Sequence, residues 1–245
     1  MNFLSGLTRL LIPAPCLLCR MPTLSSDGLC PQCDAVWGDL MTSGGRCPVC
    51  AIRVPEPGMI CADCIRHPRA FDRTVAGLDF DAPARALIHR LKFQRDTAVM
   101  AALLRPMTEA IETQYPQSAA AQPPVDWPDV LLPMPIHARR RRERGFNQAR
   151  LMADWLGRRY GLPVHGKVVR RVTMSDPQSM LDAAARRKSL RGAFAVVGAL
   201  PAHVAIVDDV MTTGSTTDSL ARVLKRVGVV RVTVWVAART PRPGA

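Results

Sequence analysis

The stretch Val204-Ala-Ile-Val-Asp-Asp-Val-Met-Thr-Thr-Gly-Ser-Thr216 decides the fold. Its four leading apolar residues read as a buried strand of an α/β sheet. Asp208 and Asp209 follow, and then a loop of small and hydroxylic residues runs straight into an apolar helical pattern. In open α/β sheets, ligands bind just beyond the carboxyl ends of the strands. A small-residue loop at a helix N-terminus presents backbone N–H groups that suit a phosphate. Two carboxylates beside it suit the diol of a ribose, or a Mg²⁺ held near it. The expectation is therefore an acidic pair, Asp208 and Asp209, next to an anion loop made of Thr212, Thr213, Gly214, Ser215 and Thr216. A purely structural strand–turn–helix unit has no need of that pair.

Working outward, strands are expected at 203–207 and 230–237, flanking a helix from 216 to about 227. Upstream, 74–80 reads as a strand. Residues 83–93 form a helix with Ala84, Leu87, Ile88 and Leu91 on one face. A second helix is expected over 98–113, kinked or broken at Pro106. Residues 114–128 are a loop by composition, 130–135 a strand ended by its prolines, and 148–160 an amphipathic helix. Strands alternating with helices predict an α/β domain with a mainly parallel sheet.

Beyond the strand at 131–135 lies His137-Ala-Arg-Arg-Arg-Arg-Glu-Arg-Gly-Phe-Asn-Gln148. If the strands are parallel, this arginine cluster faces the same edge as the anion loop. Guanidinium forks suit a pyrophosphate, with Arg140 and Arg144 as the candidates. Gly145 permits a turn, and Asn147 can cap the helix that follows. The same arginines would equally serve nucleic-acid phosphates, or a solvated basic surface. A third stretch, 170–179 followed by 183–194, has a turn signal at Asp176-Pro177 and then a run of basic residues; on physical grounds alone it reads as a basic-faced helix.

All eight cysteines fall in one block, as Cys16/Cys19, Cys30/Cys33, Cys47/Cys50 and Cys61/Cys64. Each pair is Cys-x-x-Cys, and the pattern repeats with a period of 31 residues, from Cys16 to Cys47 and from Cys30 to Cys61. A Cys-x-x-Cys turn points two thiolates at one metal, and two such turns close a tetrahedral site. Two structural Zn²⁺ ions are expected. Sequential pairing would put the first four cysteines on one ion and the last four on the other; the spacing fits an interleaved pairing as well. Disulfides suit an oxidising compartment, iron–sulfur clusters use tighter runs, and a redox dithiol needs one pair only.

Residues 1–68 thus form a cysteine module and 71–245 the α/β domain. Thirty-three Lys and Arg against 20 Asp and Glu give a formal charge of +13, which favours polyanionic partners, phosphates or nucleic acid. Aromatic residues are 5% of the chain, so base stacking has few rings to draw on. No apolar run approaches the length of a transmembrane helix. Residues 1–16 lack a basic leader, and Pro13 and Pro15 crowd the place of a cleavage site, so a short amphipathic helix and a cytoplasmic chain are expected.

The order of these motifs resembles the ComF family, phosphoribosyltransferase-like proteins with an N-terminal double zinc ribbon. The resemblance rests on the four cysteine pairs, Leu91-Lys-Phe-Gln-Arg-Asp96, Pro133-Met-Pro-Ile-His137, Arg144-Gly-Phe-Asn-Gln-Ala149, Asp176-Pro-Gln-Ser179, Gly192-Ala-Phe194 and Val207–Thr216. The last of these is similar to the 5-phosphoribosyl 1-pyrophosphate (PRPP) signature of type I phosphoribosyltransferases. The resemblance implies that Asp208 and Asp209 hold the ribose hydroxyls and that 212–216 hold the 5-phosphate, with Mg²⁺ accompanying PRPP. It also implies a part in DNA uptake during natural competence. If the chain is catalytic, the reaction is phosphoribosyl transfer. The alternative is a non-catalytic protein that engages single-stranded DNA or a DNA-uptake partner.

Overall fold

The repeat in the cysteine block becomes a repeat of structure. This computed structural model describes residues 13–42, 45–116, 126–172 and 192–242. The expectations for 1–12, for most of the 114–128 loop and for 173–191, including Asp176-Pro-Gln-Ser179, lie outside them. A hairpin of β1 (Ala14–Pro15) and β2 (Pro22–Thr23) precedes α1 (Pro31–Thr42). Shifted by 31 residues, β3 (Gly45–Arg46) and β4 (Arg53–Val54) precede α2 (Ala62–Arg66). The chain can reverse after each first Cys pair because the next residue is left-handed, Arg20 at φ 70° and Ala51 at φ 55°.

Next come β5 (Arg73–Asp79), α3 (Ala82–Phe93), a 3₁₀ turn (Thr97–Val99) and α4 (Met100–Gln114). They are followed by β6 (Val130–Pro133), α5 (Ala138–Arg144) and α6 (Gln148–Tyr160). Then come β7 (Val169–Arg171), β8 (Phe194–Val196), β9 (His203–Met211), α7 (Ser215–Arg226) and β10 (Arg231–Arg239). Four strands make a parallel sheet in the order β5-β10-β9-β6, and β7 and β8 form a separate antiparallel pair. The α/β class and the parallel sheet are as the sequence predicts.

Two details depart from expectation. First, α4 runs unbroken through Pro106. Proline lacks an N–H, so the carbonyl four residues back, that of Ala102, loses its helical donor. The indole Nε1 of Trp37, on α1, donates to that oxygen at 3.1 Å. Gly77 of β5 lets the helix come close, since a Cβ there would lie 2.6 Å from the Met107 nitrogen. Second, β9 does not stop before its acidic pair. Pairing with β10 carries it on, with Asp208 opposite Val236 and Met211 opposite Arg239. On the other side β6 ends with Pro133 opposite Val207, one step short of Asp208.

Alternation along β9 divides the core. Val204 and Ile206 belong to one buried cluster, which also holds Cys47, Cys50, Cys61, Cys64 and Leu220 of α7. Ala205 and Val207 belong to a second, with Cys16, Cys30, Trp37 and the apolar faces of α3 and α4. The two cysteine groups therefore pack toward opposite faces of one sheet.

Candidate functional site

Past the end of β6, β9 is still paired with β10 on one side, and on the other the acidic pair borders open space. That space is a cavity of about 180 Å³ at the carboxyl end of the sheet. Asp208 and Asp209 line it, with Thr212, Gly214, Ser215 and Thr216 from the loop and the start of α7. Gly214 caps α7 at φ 76°, and a Cβ there would meet the Met211 side chain at 2.7 Å, so glycine fits both the turn and the space. Thr213 does not line the cavity. Its hydroxyl pairs with that of Ser215 at 2.9 Å and accepts from the Ser215 N–H, which braces the first turn of α7. That turn aims its backbone N–H groups and positive dipole end at the cavity.

The arginine cluster is a short helix. The His137 ring accepts from the Arg139 N–H, and Gly145 at φ 82° ends it. Helical spacing by four puts Arg140 and Arg144 on one face, and both line the cavity. The Asn147 side chain accepts from the Ala149 N–H at 3.1 Å and donates to the Met134 carbonyl at 3.0 Å, fixing α6 to the end of β6. Lys92 and Arg171 complete the basic wall. Four positive side chains meet two carboxylates, so the cavity carries net positive charge and suits an anion.

The carboxylates differ. Asp209 is 6% exposed and forms an ion pair with Lys92 at 2.9 Å. Burial, and then the charge of Asp209, push the Asp208 carboxyl up to about 8, with Lys92 opposing. Its carboxylate also accepts from the Asp209 N–H at 2.9 Å. Gln148 is 2% exposed, lines the cavity, and its Nε2 has no hydrogen-bond partner. A buried amide left without a partner is costly, and an anionic or hydroxylated ligand would satisfy it.

In each cysteine group four sulfurs lie within 4.8 Å of one another, and the groups are sequential: Cys16, Cys19, Cys30, Cys33 and Cys47, Cys50, Cys61, Cys64. The interleaved pairing is thereby set aside. Backbone N–H groups support the sulfurs at matching places, Cys30 to Cys16 Sγ at 3.3 Å and Cys61 to Cys47 Sγ at 3.4 Å. Burial and the neighbouring Cys19 and Cys30 sulfurs hold the Cys33 thiol well above its usual range, so four thiolates here require a cation. Both groups fit structural zinc.

One buried arginine joins the second cysteine group to the cavity. Arg239, 4% exposed at the end of β10, donates through Nε to the Cys50 carbonyl at 2.7 Å. Its Nη1 donates to the carbonyls of Met211 at 3.1 Å, Thr212, and Thr240 at 2.8 Å. Met211 and Thr212 begin the anion loop. Just past the cysteine module, Ala70 N–H donates to Asp218 in the first turn of α7 at 2.7 Å.

The sequence has relatives among known proteins. The chain is 34% identical over 235 residues to the DNA utilization protein YhgH of Salmonella typhimurium, covering 94% of this chain and 99% of that protein. It is 30% identical over 229 residues to Competence protein F of Haemophilus influenzae, covering 91% and 96%. The chain belongs to the ComF family. A more distant relative is Competence protein ComFC of Bacillus subtilis, 26% identical over 198 residues and covering 76% of this chain and 74% of that one. No protein-family profile matches the chain.

Of the candidate residues named from the sequence, the structure gathers Asp208, Asp209, Thr212, Gly214, Ser215, Thr216, Arg140 and Arg144 around one cavity. Lys92, Gln148 and Arg171 join them without having been singled out. Lys92 and Gln148 lie inside quoted motifs; Lys92 directly follows Leu91, the last residue of the buried face of its helix. Arg171 comes from a short strand and carried none. Among the described residues, no helix is long and apolar enough to cross a membrane.

Proposed function

We propose that the cavity binds PRPP or a ribose 5-phosphate, and that the chain serves DNA uptake in natural competence, a reading supported by relatives named for DNA utilization and for competence. The observation that supports this most is the opposition, in one cavity, of an acidic pair and a helix N-terminus with four basic side chains. In this reading the carboxylates of Asp208 and Asp209 accept hydrogen bonds from the ribose hydroxyls. The first turn of α7 donates to the 5-phosphate. Arg140, Arg144 and Arg171 neutralise a diphosphate on the opposite wall and would stabilise its departure in a phosphoribosyl transfer. Asp208 and Asp209 are the residues that would hold an accompanying Mg²⁺, which would supply further charge neutralisation. Lys92 orients Asp209 through their ion pair.

Calorimetry with PRPP, with and without Mg²⁺, tests the reading. Replacing both Asp208 and Asp209 by Asn should weaken binding about 10-fold or more, since hydrogen bonds to charged groups are worth about 1.5–3 kcal/mol. Equal affinity in the double variant removes the acidic pair from the site. Pyrophosphate release from PRPP in the presence of candidate acceptors tests catalysis.

A second reading, binding of single-stranded DNA without catalysis, is favoured by the exposed arginines of α5. Arg139 is tied to Glu143, whereas the helix as a whole contributes five arginines to the surface beside the cavity. Replacing Arg140, Arg141 and Arg142 by Ala should reduce DNA affinity and flatten its salt dependence. A loss confined to PRPP instead would assign the cluster to the diphosphate.

A further inference from the structure

We propose that Phe93, with Arg144 over its ring, is a nucleobase-binding site on the rim of the cavity. The proposal rests on the reading of the cavity as a ribose-phosphate site, and it names what would lie next to that sugar.

Among the described residues no aromatic ring lines the cavity, so a base attached to a sugar there meets no stacking partner among them. At the rim the situation differs. Phe93, the last residue of α3, is 62% exposed, so its ring is accessible from solvent. It adjoins Lys92, which reaches into the cavity and pairs with Asp209. The guanidinium of Arg144, itself a lining residue, stands over the ring at 5.4 Å from its centroid. On α3 one turn earlier, the His89 ring lies 4.6 Å away at 39°. Immediately downstream Arg95 takes a left-handed conformation, φ 55°, and its guanidinium lies against Gly145 and donates to the Glu143 carbonyl at 3.5 Å. The turn leaves Phe93 facing outward while α3 ends beside α5. The other described ring overlain by a lining arginine, Phe194 under Arg171, is 5% exposed and offers no open platform.

Three planar groups, a phenyl ring, a guanidinium and an imidazole, therefore cluster beside a positively charged cavity. An apolar protein segment would gain nothing from those cations. A heteroaromatic base fits: its π-face stacks on phenyl and guanidinium, and its attached phosphate meets the basic wall. The base can come from a nucleotide whose sugar phosphate occupies the cavity, or from a single strand passing over the rim.

The test compares ligands that differ by the base alone. Wild-type protein should bind adenosine 5′-monophosphate about 5- to 100-fold more tightly than ribose 5-phosphate, the range for one stacked base. Phe93→Leu should bring the ratio close to one, and Phe93→Tyr should preserve it. In parallel, affinity for a short oligothymidylate is measured with the same variants. A loss on the nucleotide alone assigns the site to a small ligand, and a loss on the oligonucleotide alone assigns it to a strand. If neither ribose 5-phosphate nor the nucleotide binds wild-type protein, the ribose-phosphate reading fails, and the oligonucleotide arm decides on Phe93. A Phe93→Leu protein that matches wild type in every arm that binds overturns the proposal.

Discussion

Replacing Arg239 by Met tests whether the second cysteine group supports the anion loop. The guanidinium serves four carbonyls, those of Cys50, Met211, Thr212 and Thr240. Met211 keeps a second donor, the Thr240 N–H at 3.0 Å. Three carbonyls are then left to find new partners in a place where Arg239 itself is 4% exposed. At about 1–1.5 kcal/mol for each unmet carbonyl, the low end because solvent from the cavity can reach the loop, the loss is roughly 3–5 kcal/mol. For a chain of this length that is a fall in Tm of about 6–20 °C. The variant should also release the metal held by Cys47, Cys50, Cys61 and Cys64 faster to a chelator, and bind phosphate ligands more weakly. Release from Cys16, Cys19, Cys30 and Cys33, on the far face of the sheet, should be unchanged and serves as the internal control. Arg239→Lys should recover little, because one ammonium cannot reach carbonyls spread around a planar fork. An Arg239→Met protein with wild-type melting and wild-type metal release at both sites refutes the bridge.

Trp37→Phe should cost about 1–3 kcal/mol, because the Ala102 carbonyl loses its donor; in a Pro106→Ala background the cost should shrink, since alanine restores a helical N–H, and a double-mutant cycle by chemical denaturation measures the difference. Asp208 titrates near 3.8 when unfolded and about 8 when folded, so its contribution disfavours the folded state increasingly as pH rises between those values. Asp208→Asn should therefore raise Tm at pH 7–8 and have little effect near pH 4, and a Tm lowered at neutral pH would contradict the shift. Cys30→Ser and Cys61→Ser should each lower zinc content from two ions per chain to one, read by elemental analysis; iron in the reduced protein would refute the zinc assignment.

The site was legible where its chemistry is local. Asp208, Asp209 and the 212–216 loop sit in one continuous strand–turn–helix, and Arg140 and Arg144 are one helical turn apart, so spacing alone placed them together. Strand length was less legible. Nothing near Asp208 signals that β9 continues, because the cause lies in β10, whose pairing holds the strand out to Met211. The absence of a break at Pro106 has a related reason. A proline breaks a helix when its orphaned carbonyl has no donor, and the donor here is Trp37, 65 residues away. Arg239 gave no signal at all, since its four acceptors are backbone oxygens and any sequence supplies those. Composition divides the chain near residue 68, while packing joins the two parts through both buried clusters.

The strand order carries a consequence for how the chain is made. β5, the first strand of the sheet, is bonded to β10, the last, and to no other strand. The Cys50 carbonyl likewise meets Arg239 across a sequence separation of 189 residues. At about 5–20 residues per second, a chain synthesised from its N-terminus holds the second set of thiols for roughly 10–40 s before the strand that closes over them exists. Over that interval the four sulfurs depend on their local hairpin and on the metal alone, open to oxidation and to competing ions. This topology thus favours early metal capture, and zinc supply during growth is expected to set the yield of folded protein more sharply than it sets the stability of protein already made.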